Sequence, residues 1–167
     1  MRSSADKPMV TAYIGLGSNL AEPVLQVRRA CDALKQLPET RLLECSSLYL
    51  SPPMGPADQP DYINAVAALE TTLLPYDLLA GIQAIEQAQG RIREVRWGAR
   101  TLDLDLLVYG DQIISDKTLT VPHPGMSERA FVLYPLQEIA PRLDIPGLGP
   151  LAALVANCPK NGLKRHA

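Results

Sequence analysis

The fold is decided by the stretch Thr101-Leu-Asp-Leu-Asp-Leu-Leu-Val-Tyr109, which directly follows the arginine-rich run Arg91-Ile-Arg-Glu-Val-Arg-Trp-Gly-Ala-Arg100. Its Leu, Val and Tyr residues predict a β-strand that ends at Gly110. Because alternate side chains of a strand share a face, Asp103 and Asp105 point the same way, with α-carbons roughly 7 Å apart. The leucines beside and between them then face the core.

Two neighbouring carboxylates repel each other, so Asp103 and Asp105 need a compensating positive charge. A divalent cation with oxygen ligands, such as Mg²⁺, would supply it, and so would the nearby arginines. Arginines together with metal-binding aspartates are typical of phosphoryl transfer. The alternative is a solvent-exposed strand face beside a basic loop, because Asp-x-Asp is short and common.

The composition indicates an ordinary globular protein, and we expect residues 1–167 to form a single domain. Of the 167 residues, 47% are hydrophobic and 20% are charged, which suffices for a sizeable core. A net charge of -2 gives no positive field for nucleic acid, and no apolar run reaches membrane-spanning length. Neither a nucleic acid nor a membrane is therefore an expected partner.

The two ends and the cysteines give further expectations. Residues 1–9 lack the hydrophobic region of a signal peptide and are predicted to form a flexible leader. The polar residues 157–167 are predicted to form a mobile tail. The 3 cysteines lack metal-binding spacing, so we expect reduced thiols in a cytoplasmic protein.

Read in order, the chain predicts an α+β, ferredoxin-like fold. The predicted elements are a strand at 10–16, a helix at 24–37, strands at 41–50 and 62–71, a helix from Pro75 to Gly90 and the strand at 101–109. This order is the split βαβ pattern, an antiparallel sheet with helices on one face. Additional C-terminal helices are predicted from a Ser127 cap to Pro141 and over 151–156.

Several features admit two interpretations. The sequence Gly17-Ser-Asn19 is typical of a turn that caps a helix, although its amide groups could also bind an anion. Residues 51–60 contain four prolines and form a stiff loop, suited to a pocket wall or to a surface connection. Asn64 either faces solvent or binds the edge of a heterocycle. Glu86 lies beside the apolar stripe of its helix, either at the edge of a site or simply in solvent.

Five motifs occur together in one order along the chain. They are Tyr13-Ile-Gly-Leu-Gly-Ser-Asn-Leu20, Ser51-Pro-Pro-Met-Gly55, Gln59-Pro-Asp-Tyr-Ile-Asn64, Arg96-Trp-Gly-Ala-Arg-Thr-Leu-Asp-Leu-Asp105, and Val121-Pro-His123 with Glu128-Arg-Ala-Phe131. In this combination the sequence resembles the 6-hydroxymethyl-7,8-dihydropterin pyrophosphokinase family of folate biosynthesis. The resemblance extends from about Thr11 to Pro141.

The resemblance implies transfer of pyrophosphate from ATP to the pterin hydroxymethyl group, with release of AMP. It implies that Asp103 and Asp105 bind two Mg²⁺ ions together with ATP, and that Arg91 and Arg100 are catalytic. It further implies an ATP site formed by Gln83, Glu86, Arg93, Trp97, Arg100, Leu106, Thr120, His123 and Arg129. The implied pterin site consists of Ser51, Pro52, Met54, Gly55, Tyr62, Asn64, Trp97, Asp103 and Phe131.

Two other functions are compatible with parts of the pattern. Another Mg²⁺-dependent transferase would explain the aspartates and arginines but not Tyr62, Asn64 and Phe131. A ferredoxin-like RNA-binding module would need a basic sheet face with exposed aromatic residues, where this chain carries Asp103 and Asp105. Without the family, Phe131 would be interpreted as helix core. The family also suggests a monomer.

Overall fold

The structure is a computed structural model, and it describes residues 8–19, 22–52, 60–89 and 102–166. Its strands are β1 (Val10–Ser18), β2 (Thr40–Cys45), β3 (Tyr49–Ser51), β4 (Tyr62–Thr71), β5 (Asp103–Tyr109), β6 (Ile114–Ser115), β7 (Thr120–Val121), β8 (Asp144–Ile145), β9 (Gly149–Pro150) and β10 (Lys164–Arg165). Its helices are α1 (Pro23–Leu34), α2 (Pro75–Ala88), α3 (Ala130–Ile139) and α4 (Leu151–Ala156), and Met126–Glu128 forms a 3₁₀ turn.

Within the described residues, six strands form one antiparallel sheet in the order β10-β3-β4-β1-β5, with β2 also paired to β4. The first strand of the chain is therefore central. Its residue Gly17 pairs with Asn64 of β4 on one side and with Asp103 of β5 on the other. The arrangement confirms the predicted ferredoxin-like α+β fold.

The two faces of the sheet are covered by different helices. Alternation along β4 sends Ile63, Ala65, Ala67 and Leu69 into the core formed with α1 and α2. Val66, on the opposite face, belongs to a second core formed with α3 and α4. The additional C-terminal helices thus cover the face that α1 and α2 leave open.

A β-bulge modifies the alternation in β5. Tyr13 pairs with Val108 and the next residue of β1, Ile14, pairs with Leu106, so Leu107 is the extra residue. Leu107 and Val108 consequently both pack in the second core. Before the bulge the predicted alternation holds, because Leu104 and its leucine neighbours lie in the first core.

The strand predicted at 41–50 is in fact two strands. Between β2 and β3, the Ser46 hydroxyl accepts a hydrogen bond from the Val66 N–H at 2.9 Å. The Ser46 side chain thereby takes the place of a backbone carbonyl as the acceptor for Val66, and the regular backbone hydrogen bonding with β4 is interrupted there. The first helix ends at Leu34, three residues before the predicted Leu37.

Two predicted helix starts are also corrected. The segment expected to be a capping turn continues β1 as far as Ser18, and α1 begins after Glu22, which makes no side-chain cap. Ser127 lies in the 3₁₀ turn, not at a helix cap. The extended backbone of Arg129 (φ -111, ψ 105) interrupts the helical turns, so α3 begins only at Ala130.

The C-terminal segment is held against the sheet, in contrast to the mobile tail predicted for 157–167. β10 pairs with β3, and Leu163 is buried. Arg165 forms an ion pair with Glu138 at 3.1 Å and lies 5.7 Å from the centre of the Tyr49 ring. No helix in the described part of the chain is long and apolar enough to span a membrane.

Candidate active site

A cavity of about 170 Å³ opens on the α3 side of the sheet. Strands β1, β3, β4 and β5 form its floor and one wall, and the start of α3 forms another. It is lined by Gly15, Leu16, Gly17, Ser51, Pro52, Tyr62, Asn64, Ala65, Asp103, Asp105, Arg129, Phe131 and Val132. Eight of these thirteen were predicted as site residues, from segments far apart in sequence.

Glycines of the central strand form the cavity floor, and sequence reasoning missed them. Gly15 pairs with Asp105 and Gly17 with Asp103. A Cβ atom at Gly17 would lie 3.1 Å from Asn64 Nδ2, so a side chain there would crowd the amide. The available signal was their spacing, because two glycines two residues apart expose bare backbone on one strand face.

A buried hydrogen bond organises the cavity wall formed by β3 and β4. The Ser51 hydroxyl donates to Asn64 Oδ1 at 2.5 Å, and both side chains are 5% exposed. Of the two interpretations of Asn64, the structure excludes the solvent-facing one. Since Oδ1 faces Ser51, Nδ2 lies over Gly17 and can donate a hydrogen bond to a ligand on the floor.

Aromatic and cationic side chains from the start of α3 face this wall. Phe131 is half-buried, lines the cavity and packs against the second core, so it combines the two interpretations of its sequence position. The Arg129 guanidinium carbon lies 5.8 Å from the centre of the Phe131 ring. A flat ligand could therefore contact an aromatic face with a positive charge beside it.

Asp103 and Asp105 line the same cavity, as strand alternation predicts. Asp103 is half-buried and Asp105 is exposed. The residue between them is fixed by Glu86, whose carboxylate accepts the Leu104 N–H at 2.8 Å. Glu86 is only 5% exposed, so its interpretation as a solvated residue is wrong. It anchors the strand that presents the two aspartates.

His123 lies beside β5 in a fixed orientation. The backbone N–H of His123 donates to the Leu107 carbonyl at 2.9 Å. The ring atom Nδ1 of His123 accepts a hydrogen bond from the backbone N–H of Gly125 at 3.2 Å. In the neutral ring the proton is therefore on Nε2. Burial lowers the pKa of His123 below 6.5, and Arg129 lowers it further, against the opposing effect of Asp105. The ring is neutral near pH 7.

Other predicted site residues lie away from the cavity lining. Leu106 is 3% exposed within the first core, so its side chain cannot contact a ligand there. Gln83 is exposed on α2, and Thr120 is half-buried in β7. The remaining predicted residues fall outside the described ranges. They are Met54, Gly55, Arg91, Arg93, Trp97 and Arg100.

The acidic side chains fit a cation that is shared with an anionic ligand. The described residues contain no cluster of three or more His, Cys, Asp or Glu side chains that could hold a metal ion. Asp103 and Asp105 nevertheless offer hard oxygen ligands at one edge of the cavity. Mg²⁺ is commonly bound by one or two carboxylates together with substrate phosphates, and this donor set suits that arrangement.

Fold and cavity together define a ferredoxin-like protein whose aromatic pocket ends at paired carboxylates. Comparison with known families narrows this class. The model of the family described as 7,8-dihydro-6-hydroxymethylpterin-pyrophosphokinase (HPPK) matches residues 13–141, and the chain belongs to this family.

Individual relatives agree with the family assignment. The chain is 56% identical over 153 residues to the 2-amino-4-hydroxy-6-hydroxymethyldihydropteridine pyrophosphokinase of Pseudomonas aeruginosa, covering 92% of this chain and 94% of the relative. It is 54% identical over 147 residues to the enzyme of the same name from Haemophilus influenzae, covering 88% and 92%.

Solved structures support the fold. A crystal structure of Plasmodium falciparum HPPK-DHPS with pteroate superposes with a TM-score of 0.71 at 13% identity. The match covers 89% of this chain and 42% of that chain, so this chain spans less than half of the larger protein.

Proposed function

We propose that this protein transfers pyrophosphate from ATP to the hydroxymethyl group of 6-hydroxymethyl-7,8-dihydropterin, giving the pterin diphosphate and AMP. The observation that carries the proposal is that one cavity joins a polar and aromatic wall to paired carboxylates. Ser51, Asn64 and Phe131 line this cavity, and so do Asp103 and Asp105. This juxtaposition suits a heterocyclic acceptor beside a polyphosphate donor.

The pterin would bind between Tyr62 and Phe131, because a flat ring gains from contact with aromatic faces. Asn64 Nδ2 would donate to an acceptor on the ring edge, and its hydrogen bond with Ser51 holds the amide in the required orientation. Pro52 contributes apolar wall at the same end. Specificity would thus come from stacking combined with a pre-oriented amide donor.

The nucleotide would bind at the carboxylate end. Asp103 and Asp105 would hold Mg²⁺, in a proposed pair of ions, and bound Mg²⁺ neutralises phosphate charge and aligns the phosphates. Arg129 and the neutral His123 would contact the phosphates from the α3 side, His123 as an Nε2–H donor. Arg91 and Arg100 are proposed to stabilise the charge that develops when the pterin oxygen attacks the β-phosphorus and AMP leaves.

The remaining expectations are proposals of the same kind. We infer a monomer in the cytoplasm, with neither nucleic acid nor membrane as partner. An RNA-binding role has less support, because α3 and α4 cover the sheet face that such modules use to stack bases.

The test is an assay of AMP formation from ATP, Mg²⁺ and 6-hydroxymethyl-7,8-dihydropterin. We expect AMP above the control without pterin, and an Asp105→Ala variant should lose turnover while binding the pterin almost normally. AMP formation equal to the control would exclude the proposed reaction. Loss of pterin affinity as complete as the loss of turnover would exclude a role for Asp105 confined to the metal and nucleotide.

A further inference from the structure

The Arg129 guanidinium rests against the bare backbone of Gly125. A Cβ atom built at Gly125 would lie 2.8 Å from Arg129 Nε, 2.9 Å from Cζ and 3.0 Å from an Nη atom. Two atoms of the planar group are thus closer than a methyl group allows, and the third is in a tight contact. The absence of a side chain at position 125 determines where the guanidinium can lie.

Other contacts of Arg129 connect this position to the cavity. The guanidinium carbon is 5.8 Å from the centre of the Phe131 ring, and Arg129 lines the cavity. Its backbone is fixed between the 3₁₀ turn and α3, with its N–H donating to the Met126 carbonyl at 3.3 Å. With the backbone fixed at one end and Gly125 against the other, the charged group is confined beside the aromatic face.

The backbone at Gly125 does not itself require glycine. Its φ of -97 and ψ of -2 are accessible to residues with a side chain. Its N–H bond to His123 Nδ1, at 3.2 Å, would be available to alanine as well. The close approach of Arg129 is therefore the feature of this turn that glycine serves.

We propose that Gly125 is a positioning residue for nucleotide binding, which acts by seating the Arg129 guanidinium beside Phe131. The inference rests on the proposed function, in which Arg129 contacts the ATP phosphates. A methyl group at position 125 pushes the guanidinium away from its seat. Because the displaced atoms are the far end of a flexible side chain, the change affects ligand binding more than folding.

A double-mutant cycle tests this coupling with the full chain. The four proteins are the wild type, Gly125→Ala, Arg129→Ala and the double variant, each assayed for the KM of ATP and for kcat by AMP formation. We expect Gly125→Ala to raise the KM of ATP about threefold to tenfold, as for partial loss of one charge-assisted hydrogen bond, with little change in kcat. In the Arg129→Ala background the same substitution should have no further effect.

Controls separate positioning from general damage. The thermal unfolding midpoint of Gly125→Ala should match the wild type, and the KM of the pterin should change less than that of ATP. Equal effects of Gly125→Ala with and without Arg129 would overturn the inference, and so would a Gly125→Ala variant with the wild-type KM of ATP. If Arg129→Ala leaves the KM of ATP unchanged, the proposed contact between Arg129 and the ATP phosphates is wrong. The proposed reaction is tested separately, by AMP formation with the wild-type protein.

Discussion

At the scale of single residues, the bond between Ser51 and Asn64 satisfies two buried polar groups and orients the amide. Ser51 lies on β3 and Asn64 on β4, so the bond also joins two strands across the cavity wall. Removing one partner leaves the other buried without a hydrogen bond, which costs more than the bond itself contributes.

We expect Asn64→Leu to lower the free energy of unfolding by about 1–3 kcal/mol, because the Ser51 hydroxyl loses its acceptor. The KM of the pterin should rise about tenfold or more, since the neutral amide donor Asn64 Nδ2 to the ring edge is lost. Urea unfolding and steady-state kinetics measure the two effects. Ser51→Ala keeps the amide donor but removes the bond that orients it, so we expect it to raise the pterin KM less than Asn64→Leu does. An unchanged pterin KM in Asn64→Leu would contradict the proposed contact.

Sequence reasoning succeeded for residues whose direction follows from alternation and failed where burial depends on a distant neighbour. The shared cavity of Asp103 and Asp105 follows from their spacing in a strand. The burial of Glu86 does not follow from helix periodicity, because its carboxylate is covered only when α2 packs on β5 and meets the Leu104 N–H.

At the scale of elements, Glu86 connects α2 to the strand that carries the carboxylates. We expect Glu86→Ala to lower the free energy of unfolding by about 1–3 kcal/mol, because the buried Leu104 N–H loses its acceptor. Glu86→Gln should cost less, since an acceptor remains. Denaturant unfolding and hydrogen exchange at the Leu104 amide would measure this. An Ala variant as stable and as protected from exchange as the wild type would show that the contact is dispensable.

Helix α1 and strand β2 meet at a pair of cysteines. Cys31 Sγ and Cys45 Sγ are 2.8 Å apart, both half-buried, and all three cysteines are free. The hydrogen bond with Cys31 lowers the pKa of Cys45. A Cys45 thiolate can attack oxidised glutathione, releasing one glutathione thiolate, and Cys31, after losing its proton to solvent, then displaces the second.

We therefore expect oxidised glutathione to produce a disulfide between α1 and β2. Mass spectrometry should show the loss of two hydrogens from the chain, and Cys31→Ser should instead retain a glutathione adduct on Cys45. Cys158, which is 6% exposed, should stay reduced in both proteins. Stable glutathione adducts on wild-type Cys45 would indicate that the two sulfurs cannot reach bonding geometry.

Most elements were predictable, but their interruptions were not. The bounds of β4 and α4 match the prediction, because each is a continuous pattern between turn residues. The division between β2 and β3 depends on the Ser46 hydroxyl meeting Val66 across the sheet, which no local pattern indicates. The extended backbone of Arg129, which lines the cavity, is likewise not indicated by any local pattern.

At the scale of the whole molecule, Glu138 joins three parts of the structure. It accepts hydrogen bonds from the Ser47 N–H at 2.9 Å and the Tyr49 hydroxyl at 2.6 Å, and it pairs with Arg165 of β10. Burial raises the pKa of Glu138, but the bonds from Tyr49 and Ser47 and the charge of Arg165 outweigh it, so the net pKa lies below 4.5. The ionised carboxylate therefore stabilises the fold.

This shift predicts a pH dependence of stability. At pH values between the lowered pKa of Glu138 in the folded protein and its ordinary value of 4.5, the unfolded chain binds more protons than the folded one. The contribution of Glu138 to the free energy of unfolding is therefore fully present above pH 4.5 and is lost as the pH falls. Urea midpoints of the wild type and Glu138→Gln should differ at pH 7 and converge as the pH falls below 4.5. A gap that widens on acidification would contradict the sign of the shift.

The central position of β1 has a consequence for how the protein is made. β1 is synthesised before its partners β4 and β5, and its pairing is completed only when Tyr109 is available. The wall that carries Phe131 comes later still. Until β4 and β5 have been synthesised, both edges of β1 are unpaired, and an unpaired strand edge can associate with other chains. A ribosome-bound chain stalled before α3 should be unable to bind substrate, because the cavity wall that carries Phe131 has not yet been made.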